Sequence, residues 1–230
     1  MAKKTDKTEE RIVAVEEAFS KTERFIEDNQ KIILIVLGVI IVLVLGYFGF
    51  KRYYIAPRET RAQAQMFMAE KYFEQDSLNK ALNGDGPNPG FLTIIDDYGM
   101  TKSANLAHYY AGIIYLKKGE YQNAITQLKK FDSDGSVVGQ MAMGATADAY
   151  MELKDAAKAA DLYTKAAEEM KNELISPMLY MKAGWAYESA GDYQKAVDVY
   201  KKLKENYLRS TEGRDIDKYI ANASALAGKK

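Results

Sequence analysis

The chain has 230 residues, with 32 Lys and Arg balanced by 32 Asp and Glu, no cysteine and one histidine, His108. The zero net charge argues against a nucleic-acid footprint and a polybasic lipid patch. Without cysteine there are no disulfides, thiol nucleophiles or thiolate zinc sites, and one histidine leaves little for a metal site or catalytic triad. We therefore expect a non-enzyme with no catalytic residues, no cofactor and no metal.

Residues 1–31 form a charged segment with an amphipathic pattern. Ile12, Val15, Phe19 and Ile26 recur at three- and four-residue spacing, while charged residues take the other faces. This periodicity predicts a helix. Such a helix is suited to dock on a membrane partner or to pair with another copy of the chain.

Residues 32–50, IILIVLGVIIVLVLGYFGF, carry no charge and are followed at once by Lys51 and Arg52. A helix of this length matches the hydrocarbon thickness of a bilayer. A cleaved signal peptide is disfavoured, because about thirty residues with many acids precede the apolar run and no small-residue cleavage site follows it. We predict one transmembrane helix, followed by a connector at residues 51–61. The aromatic residues expected at the C-terminal membrane interface are Tyr47, Phe48, Phe50, Tyr53 and Tyr54.

The charges that flank the span do not settle its orientation. Near its N-terminal end lie Lys21, Arg24 and Lys31. On the other side lie Lys51, Arg52, Arg58 and Arg61. The difference of one residue slightly favours a cytoplasmic C-terminal part, but long domains translocate largely regardless of charge.

A repeat accounts for residues 62–210. The segment AGIIYLKKGEYQNAITQLKKF (Ala111 to Phe131) aligns with AGWAYESAGDYQKAVDVYKKL (Ala183 to Leu203), and TADAYMELKDAAKAADLYTKA lies between them in the same register. The tyrosines Tyr115, Tyr150 and Tyr187 mark periods of 35 and 37 residues. This spacing resembles the tetratricopeptide repeat, a helix-turn-helix unit that stacks into an α-solenoid.

The repeat pattern predicts local details. Gly112 and Gly184 are small where the first helix of a repeat, helix A, approaches the second, helix B; Gly119 and Gly191 suit left-handed helix ends. Lys154 replaces glycine in the middle repeat, so we expect a slightly different turn there. Ser176 and Pro177 are expected to be the N-cap and first residue of the third repeat.

The array has atypical ends. A first, degenerate repeat is interrupted by NGDGPNPG, residues 83–90, whose glycines and prolines cannot continue a helix. We expect a loop there, either a tolerated surface insertion or a contact for a partner. Residues 211–230 are expected to supply a capping helix and tail, which solenoids need to cover their last apolar face. The predicted fold class is thus all-α, with one N-terminal transmembrane helix and about four repeats.

Helix A of each repeat should line the concave face of the solenoid. If the close-packing small residue is position 8, then positions 2, 5, 9, 12 and 13 face the concavity. The candidate partner-binding residues at these positions are Met66, Phe73, Tyr109, Ile113, Met141, Met151, Met178, Met181 and Trp185. Methionine-rich surfaces adapt to varied apolar peptides. Nearby Glu70, Glu74, Asp148, Glu152 and Glu188 would favour a basic or amphipathic ligand.

Other uses of this face remain open. A concave apolar strip can be filled by the capping helix or by a second copy of the chain, and a methionine at helical spacing is often a core residue. We expect His108 to be structural, since it falls at a packing position. Adjacent acids such as Asp96 and Asp97 point in different directions on a helix and are read as solvated surface.

The whole chain also resembles a family. Its charged N-terminus, single span and small repeat array are similar to the ancillary SecYEG translocon subunit family of bacterial inner-membrane proteins. The segments SLNKALNGDGPNPGFLTIIDDYGMTKSANLAHYYAG and YLKKGEYQNAITQLKKFDSD resemble its tetratricopeptide members from Bacteroidetes-type bacteria. The resemblance implies a cytoplasmic N-terminus, periplasmic repeats, and association with translocon subunits, periplasmic chaperones or secretory clients. It implies no catalytic residues.

Two other functional classes are compatible with the same architecture. One is a cell-envelope or division scaffold, and the other is an accessory subunit of another membrane enzyme or transporter complex. Copurification with translocon subunits would separate these from a translocon accessory.

Overall fold

The computed structural model describes residues 3–133 and 135–229, with side chains described for Arg11 and from residue 23 onward. The only β-type pairing among these residues is an isolated β-bridge between Gly84 and Pro89. The helices are α1 (Lys3–Phe50), a π-helical segment (Lys51–Ile55), α2 (Ala56–Glu74), α3 (Leu78–Asn83), α4 (Phe91–Tyr98), α5 (Lys102–Lys117), α6 (Tyr121–Lys130), α7 (Val137–Glu152), α8 (Ala156–Glu169), α9 (Ile175–Ser189), α10 (Tyr193–Tyr207) and α11 (Ile216–Ala227).

The chain divides into two compact units, Met1–Pro57 and Arg58–Lys230. The helical stretch Glu23–Glu74 contains one segment long and apolar enough to cross a membrane, and none of that segment is buried. This makes it a candidate membrane span. The backbone of the amphipathic N-terminal segment is helical from Lys3, but the side chains of Ile12, Val15 and Phe19 lie outside the described ones, so their predicted pattern stays a prediction.

The second unit is a row of antiparallel helix pairs. Helix α5 packs on α6, α7 on α8 and α9 on α10, and each pair contacts the next through α6 with α7 and α8 with α9. The first helices of successive pairs also touch, α5 with α7 and α7 with α9. One apolar cluster runs from α6 to α11, and a second joins α2 to α5. Because each pair buries its apolar faces on its neighbours, the architecture is a solenoid.

Small residues allow the two helices of each pair to pack closely. A Cβ at Gly112 would lie 2.5 Å from Cγ of Leu128, and one at Gly184 would overlap the edge of the Tyr200 ring. The facing residues Ala124, Ala159 and Ala196 are fully buried. Side chains larger than these would push the two helices of a pair apart.

The turns between paired helices are the same in every repeat, so the prediction of a different turn at Lys154 is wrong. Asp76, Gly119, Lys154 and Gly191 all have positive φ, between 54° and 77°. In the Lys154 turn, Asp155 N donates to Tyr150 O at 2.9 Å; in the Gly191 turn, Asp192 N donates to Tyr187 O at the same distance. Lys154 adopts the left-handed conformation despite its side chain, because these hydrogen bonds close the helix end.

The start of α9 also differs from the prediction. Ser176 and Pro177 lie inside the helix, which begins at Ile175, and both are buried. Ser176 Oγ donates to Met170 O at 2.8 Å and accepts from Nε2 of Gln140 at 2.9 Å. The serine is therefore a buried link between three helices rather than an N-cap, and Asn172 supplies the side-chain acceptor for Leu174 N and Ile175 N.

Buried Gln140 completes this link. Its Nε2 faces Ala166 O at 2.9 Å, Met170 O at 3.0 Å and the hydroxyl of Ser176, while its Oε1 is buried with no hydrogen-bond partner among the described residues. A single amide on α7 thus satisfies carbonyls at the end of α8 and fixes the start of α9.

The first repeat has a split second helix. Helix α3 ends at Asn83, a compact loop follows, and α4 begins at Phe91. The hydroxyl of Tyr72 donates to Asp85, whose Oδ1 accepts from Asn88 N at 3.0 Å. Gly90 is buried so tightly against the backbone of Leu82 and Asn83 that no Cβ fits there. The residues that interrupt the helix therefore form an ordered loop with its own hydrogen bonds.

Helix α11 closes the other end. It packs on α10 and buries Ile216 and Ala223 in the large apolar cluster. The ring of Tyr219 lies 5.7 Å from that of Tyr200 and 6.4 Å from that of Trp185, centroid to centroid. The helix thus covers apolar surface that the last pair would otherwise expose.

Candidate functional site

The first helices of three successive pairs, α5, α7 and α9, line an apolar cavity of about 210 Å³ that is open to solvent. We call this surface the central groove. It is lined by Tyr109, Ile113 and Leu116 of α5, by Met141, Gly144, Ala145 and Asp148 of α7, and by Ile175, Met178, Leu179 and Lys182 of α9.

Four of the predicted partner-binding residues meet in this groove. Tyr109, Ile113, Met141 and Met178 line it from three different helices. Met141 and Met178 are 44 % and 40 % exposed, so their side chains are accessible to a ligand. The two methionines occupy the same position of successive repeats, which is why the solenoid brings them together.

The other predicted residues lie elsewhere. Met66 and Met181 are buried in the two apolar clusters, because they pack between neighbouring helices rather than facing the concavity. Phe73 packs edge-on against Tyr110, and Met151 is half-buried against the large cluster. Trp185 is 48 % exposed but lies outside the cavity, beside Tyr219 of α11.

The charges at the groove neutralise each other. Lys182 Nζ lies 2.8 Å from Oδ1 and 3.2 Å from Oδ2 of Asp148, and the Tyr163 hydroxyl donates to the same carboxylate. Burial, with a further contribution from this hydrogen bond, raises the pKa of Tyr163 far above its ordinary value near 10. The tyrosine therefore stays a neutral donor throughout the physiological range, and the groove offers a paired charge rather than a free one.

Two of the other acids predicted at this face, Glu152 and Glu188, also have partners. The Tyr121 hydroxyl donates to Glu152 at 3.3 Å, and the Tyr200 hydroxyl donates to Glu188 at 3.1 Å. A tyrosine hydroxyl leaves the carboxylate charged, so the expectation that acidic neighbours favour a basic or amphipathic ligand stays a prediction. Neither glutamate lines the cavity itself. The groove is better suited to an apolar ligand.

No metal-binding arrangement occurs in the described residues: no three His, Cys, Asp or Glu side chains cluster there. His108 is half-buried and its Nδ1 lies 2.7 Å from Oε1 of Gln127 on α6. This contact ties helix A to helix B of the same repeat, as expected for a structural histidine.

Gly144, Ile175 and Leu179 were not identified as groove residues from the amino-acid sequence. For Gly144 the sequence does contain a signal that could have identified it. At its position in the neighbouring repeats stand Tyr109 and Met181, so the middle repeat lacks a large side chain there. For Leu179 and Ile175 no such signal existed, because their access to the groove depends on the angle between α7 and α9.

Comparison with known proteins supports the fold. A tetratricopeptide repeat family model matches residues 179–207. Comparison with curated proteins returns no match. Two crystal structures of the nearly identical TPR-like repeats of a kinesin light chain candidate from Podosopora anserina, one of them a single-residue variant, are similar to this chain at a TM-score of 0.55 and 15% identity. Each similarity covers 75% of this chain and 89% of the chain of the solved structure.

At this identity the similarity extends to the fold alone. It agrees with the antiparallel helix pairs, the repeated left-handed turns and the family match in the last repeat. The predicted fold class is confirmed: the described part of the chain is an all-α, tetratricopeptide-repeat-like solenoid preceded by one candidate membrane-spanning helix.

Proposed function

We propose that this chain is a membrane-anchored interaction protein whose repeats hold apolar segments of other proteins in the central groove. The observation that carries the proposal is the open apolar cavity shared by α5, α7 and α9. Repeat solenoids of this kind are protein-interaction folds that bind along their concave faces. The cavity is smaller than the roughly 300–1,000 Å³ typical of small-molecule sites, so it suits a side chain of a protein ligand better than a cofactor.

Exposed apolar residues around the cavity support a peptide ligand. On α7, Val137 and Met141 are four residues apart and both exposed. Leu174, the residue before α9, and Met178 on α9 are also four residues apart and exposed. Residues four apart share one face of a helix. Met141 and Met178 line the cavity, so their exposed apolar surface would be covered when an apolar segment lies in the groove.

We further propose that the partners are subunits of the Sec translocon, periplasmic chaperones or secretory clients, and that the chain is a translocon accessory. The resemblance of the whole chain to the ancillary translocon subunit family supports this assignment. On this proposal residues 32–50 span the bacterial inner membrane, the N-terminus is cytoplasmic and the repeats face the periplasm. A second copy of the chain is a further candidate partner.

The proposed location predicts a protease pattern. Protease added to bacterial spheroplasts that carry the chain is expected to digest the repeats, because they face the periplasm, and to spare the first thirty residues. Immunoblotting with antibodies against each end reads out the result. Repeats that resist digestion until detergent is added would place them in the cytoplasm and contradict this location.

Binding in the groove is tested by Met178→Glu. The probe is reduced, carboxymethylated α-lactalbumin, a permanently unfolded protein, titrated against the full chain in nanodiscs. We expect the substitution to weaken binding by about 1–3 kcal/mol, because it places a charge where an apolar contact is made.

The matched control is Leu208→Glu, which adds the same charge at an exposed leucine (55 % exposed) just beyond α10. This leucine is not among the residues that line the groove. We expect its affinity to equal that of the unmodified chain. Equal weakening by both substitutions would indicate a general effect of charge and move the site out of the groove.

A further inference from the structure

Two lysines from neighbouring repeats converge on one tyrosine. Lys129 of α6 donates from Nζ to the hydroxyl oxygen of Tyr150 on α7 at 3.1 Å, and Nζ of Lys158 on α8 lies 4.3 Å from the centroid of the same ring. The tyrosine is buried, whereas both lysines are exposed. Among the described residues neither lysine forms an ion pair with a carboxylate. The aromatic ring attracts both cations but carries no net charge, so two positive charges remain close together.

The equivalent place in the next repeat contains a carboxylate. When the repeats are aligned at offsets of 35 and 37 residues, Tyr187 corresponds to Tyr150 and Asp161 corresponds to Thr126. The Tyr187 hydroxyl donates to Oδ1 of Asp161 at 2.7 Å, and Nζ of Lys195 lies 5.4 Å from the centroid of that ring. There the protein supplies the anion itself. At Tyr150 a threonine stands in the place of this aspartate, so two cations face the hydroxyl instead.

The Tyr150 hydroxyl is prepared to act as a donor to an anion. The hydrogen bond from Lys129, with a smaller contribution from Lys158, lowers the pKa of Tyr150 below its ordinary value near 10. Because the oxygen accepts from Lys129, its own proton is available for another acceptor. An oxyanion at this point would therefore accept charge-assisted hydrogen bonds from two ammonium groups and a bond from the phenol.

A recess extends this cationic surface along the same three helices. It has a volume of about 290 Å³, is lined in part by Lys129 and Lys165, and contains no acid in its lining. Met143 and Leu162 make part of its lining apolar. Lys158 and Lys165 are seven residues apart on α8, which is about 10 Å along the helix axis. One oxyanion cannot bridge that distance.

We propose that the surface formed by Lys129, Tyr150, Lys158 and Lys165, the cationic groove, binds an acidic segment of a partner protein. One carboxylate of the segment bridges Lys129 and Lys158 and accepts from the Tyr150 hydroxyl. A second carboxylate about three residues along an extended chain reaches Lys165, since such a chain advances about 3.3 Å per residue. The cationic groove shares no lining residue with the central groove, so the inference does not depend on the ligand proposed there.

The test uses short Gly-Ser peptides that carry an uncharged fluorophore. One peptide has two glutamates three positions apart, the second has glutamines at the same positions, and the third has one glutamate. Each is titrated by fluorescence anisotropy against the full chain in phosphatidylcholine nanodiscs, at one low ionic strength because salt screens exposed charges. We expect the two-glutamate peptide to bind about tenfold more tightly than the glutamine peptide, from two ion pairs at a partly exposed site.

Thr126→Asp is the most specific variant. It places a carboxylate where the next repeat has Asp161, so the protein supplies its own anion to Tyr150. We expect this variant to bind the two-glutamate and glutamine peptides equally. Gln63→Asp is the matched control, because it adds the same charge at an exposed position of α2. It is expected to keep the tenfold preference of the unmodified chain.

Removal of the cations gives an independent measurement. Lys129→Gln and Lys158→Gln are each expected to abolish the preference for the acidic peptide. Lys201→Gln removes the same charge at the position of the last repeat that corresponds to Lys129, and should leave the preference unchanged. All of these positions are exposed, and circular dichroism checks the helix content of every variant.

The pattern across the variants decides the outcome. Loss of the preference in Thr126→Asp and in both groove-lysine variants, with both controls unchanged, supports the cationic groove. A preference that survives in the folded groove variants, or that falls equally in the controls, overturns it. If the one-glutamate peptide binds as tightly as the two-glutamate peptide and inorganic phosphate at the same ionic strength displaces both, the site holds a single oxyanion, and the proposal of a partner segment is wrong.

Discussion

Gly184→Leu is expected to destabilise the repeat array by about 3 kcal/mol, at the upper end of overpacking costs. The reason is the ring of Tyr200, which is fully buried and lies where any Cβ at position 184 would go. The ring cannot move aside easily, because its hydroxyl donates to Glu188 and its face packs near Tyr219. Urea unfolding of the full chain in mild detergent, followed by circular dichroism, measures the loss.

Gly112→Ala is the comparison for the same structural position. There the introduced methyl meets Cγ of Leu128 at 2.5 Å and its backbone nitrogen at 3.2 Å. We expect a smaller cost than for Gly184→Ala, because the leucine side chain can adjust its rotamer, whereas at Gly184 the methyl would overlap a rigid aromatic ring. Combining Gly184→Ala with Tyr200→Leu should recover part of the loss, and a double-mutant cycle measures this coupling. Strict additivity of the two substitutions would show that the ring is not the obstacle.

The damage should also be local. Each helix pair packs mainly on its neighbours, so loss of hydrogen-exchange protection in Gly184→Leu is expected to concentrate in α9, α10 and α11. Helices α5 and α6 should keep most of their protection. A uniform loss across all pairs would show that the array unfolds as one unit.

Gln140→Glu is expected to cost about 3 kcal/mol or more at pH 8. The amide Nε2 of Gln140 faces two carbonyl oxygens and the hydroxyl of Ser176, and a carboxylate would turn an acceptor toward the carbonyls. The cost should fall as the pH is lowered to 5. Burial and facing acceptors raise the pKa of the introduced carboxyl in the folded state above its unfolded value, so native stability is regained by protonation and lost again as the pH rises.

Two control substitutions separate the destabilising effect of the new charge from that of the lost hydrogen bonds. Gln140→Leu removes the same bonds without adding a charge, and should cost about 1–3 kcal/mol with no added dependence on pH. Gln122→Glu adds a charge on the exposed face of α6 and should be nearly neutral. All are compared by urea unfolding at pH 5 and 8. If Gln140→Glu cost the same at both pH values, the amide nitrogen of Gln140 would not be the group that faces the carbonyl oxygens of Ala166 and Met170.

The repeat pattern predicted the fold well because its signals are local. Glycine, alanine and tyrosine recur at fixed places since two helices must approach closely and the remaining space must be filled, and this requirement is readable from spacing alone. Lys154 misled the reading of its turn, because hydrogen bonds across the helix end can hold a non-glycine residue in the left-handed conformation. Ser176 misled it because a sequence motif for a helix start does not reveal the buried Gln140 thirty-six residues away.

The candidate groove was predicted only in part, for a different physical reason. Met141 and Met178 reach the cavity, whereas Met181 is buried, although a numbering rule for helix A treats all three as concave. Which of these positions is open depends on the side chain of the neighbouring repeat and on the angle between adjacent first helices. Such tertiary geometry is not encoded in the periodicity of one repeat.

One glycine among three equivalent positions also links the open groove to the packing of the array. Helix α7 touches both α5 and α9, so the positions of Tyr109, Gly144 and Met181 form a row with one member per repeat. Gly144 lines the cavity, yet a Cβ on it would lie 2.8 Å from Cδ2 of Leu179 on α9. A larger residue at position 144 would therefore have to displace Leu179, and the same position serves both the accessible surface and the stacking of the repeats.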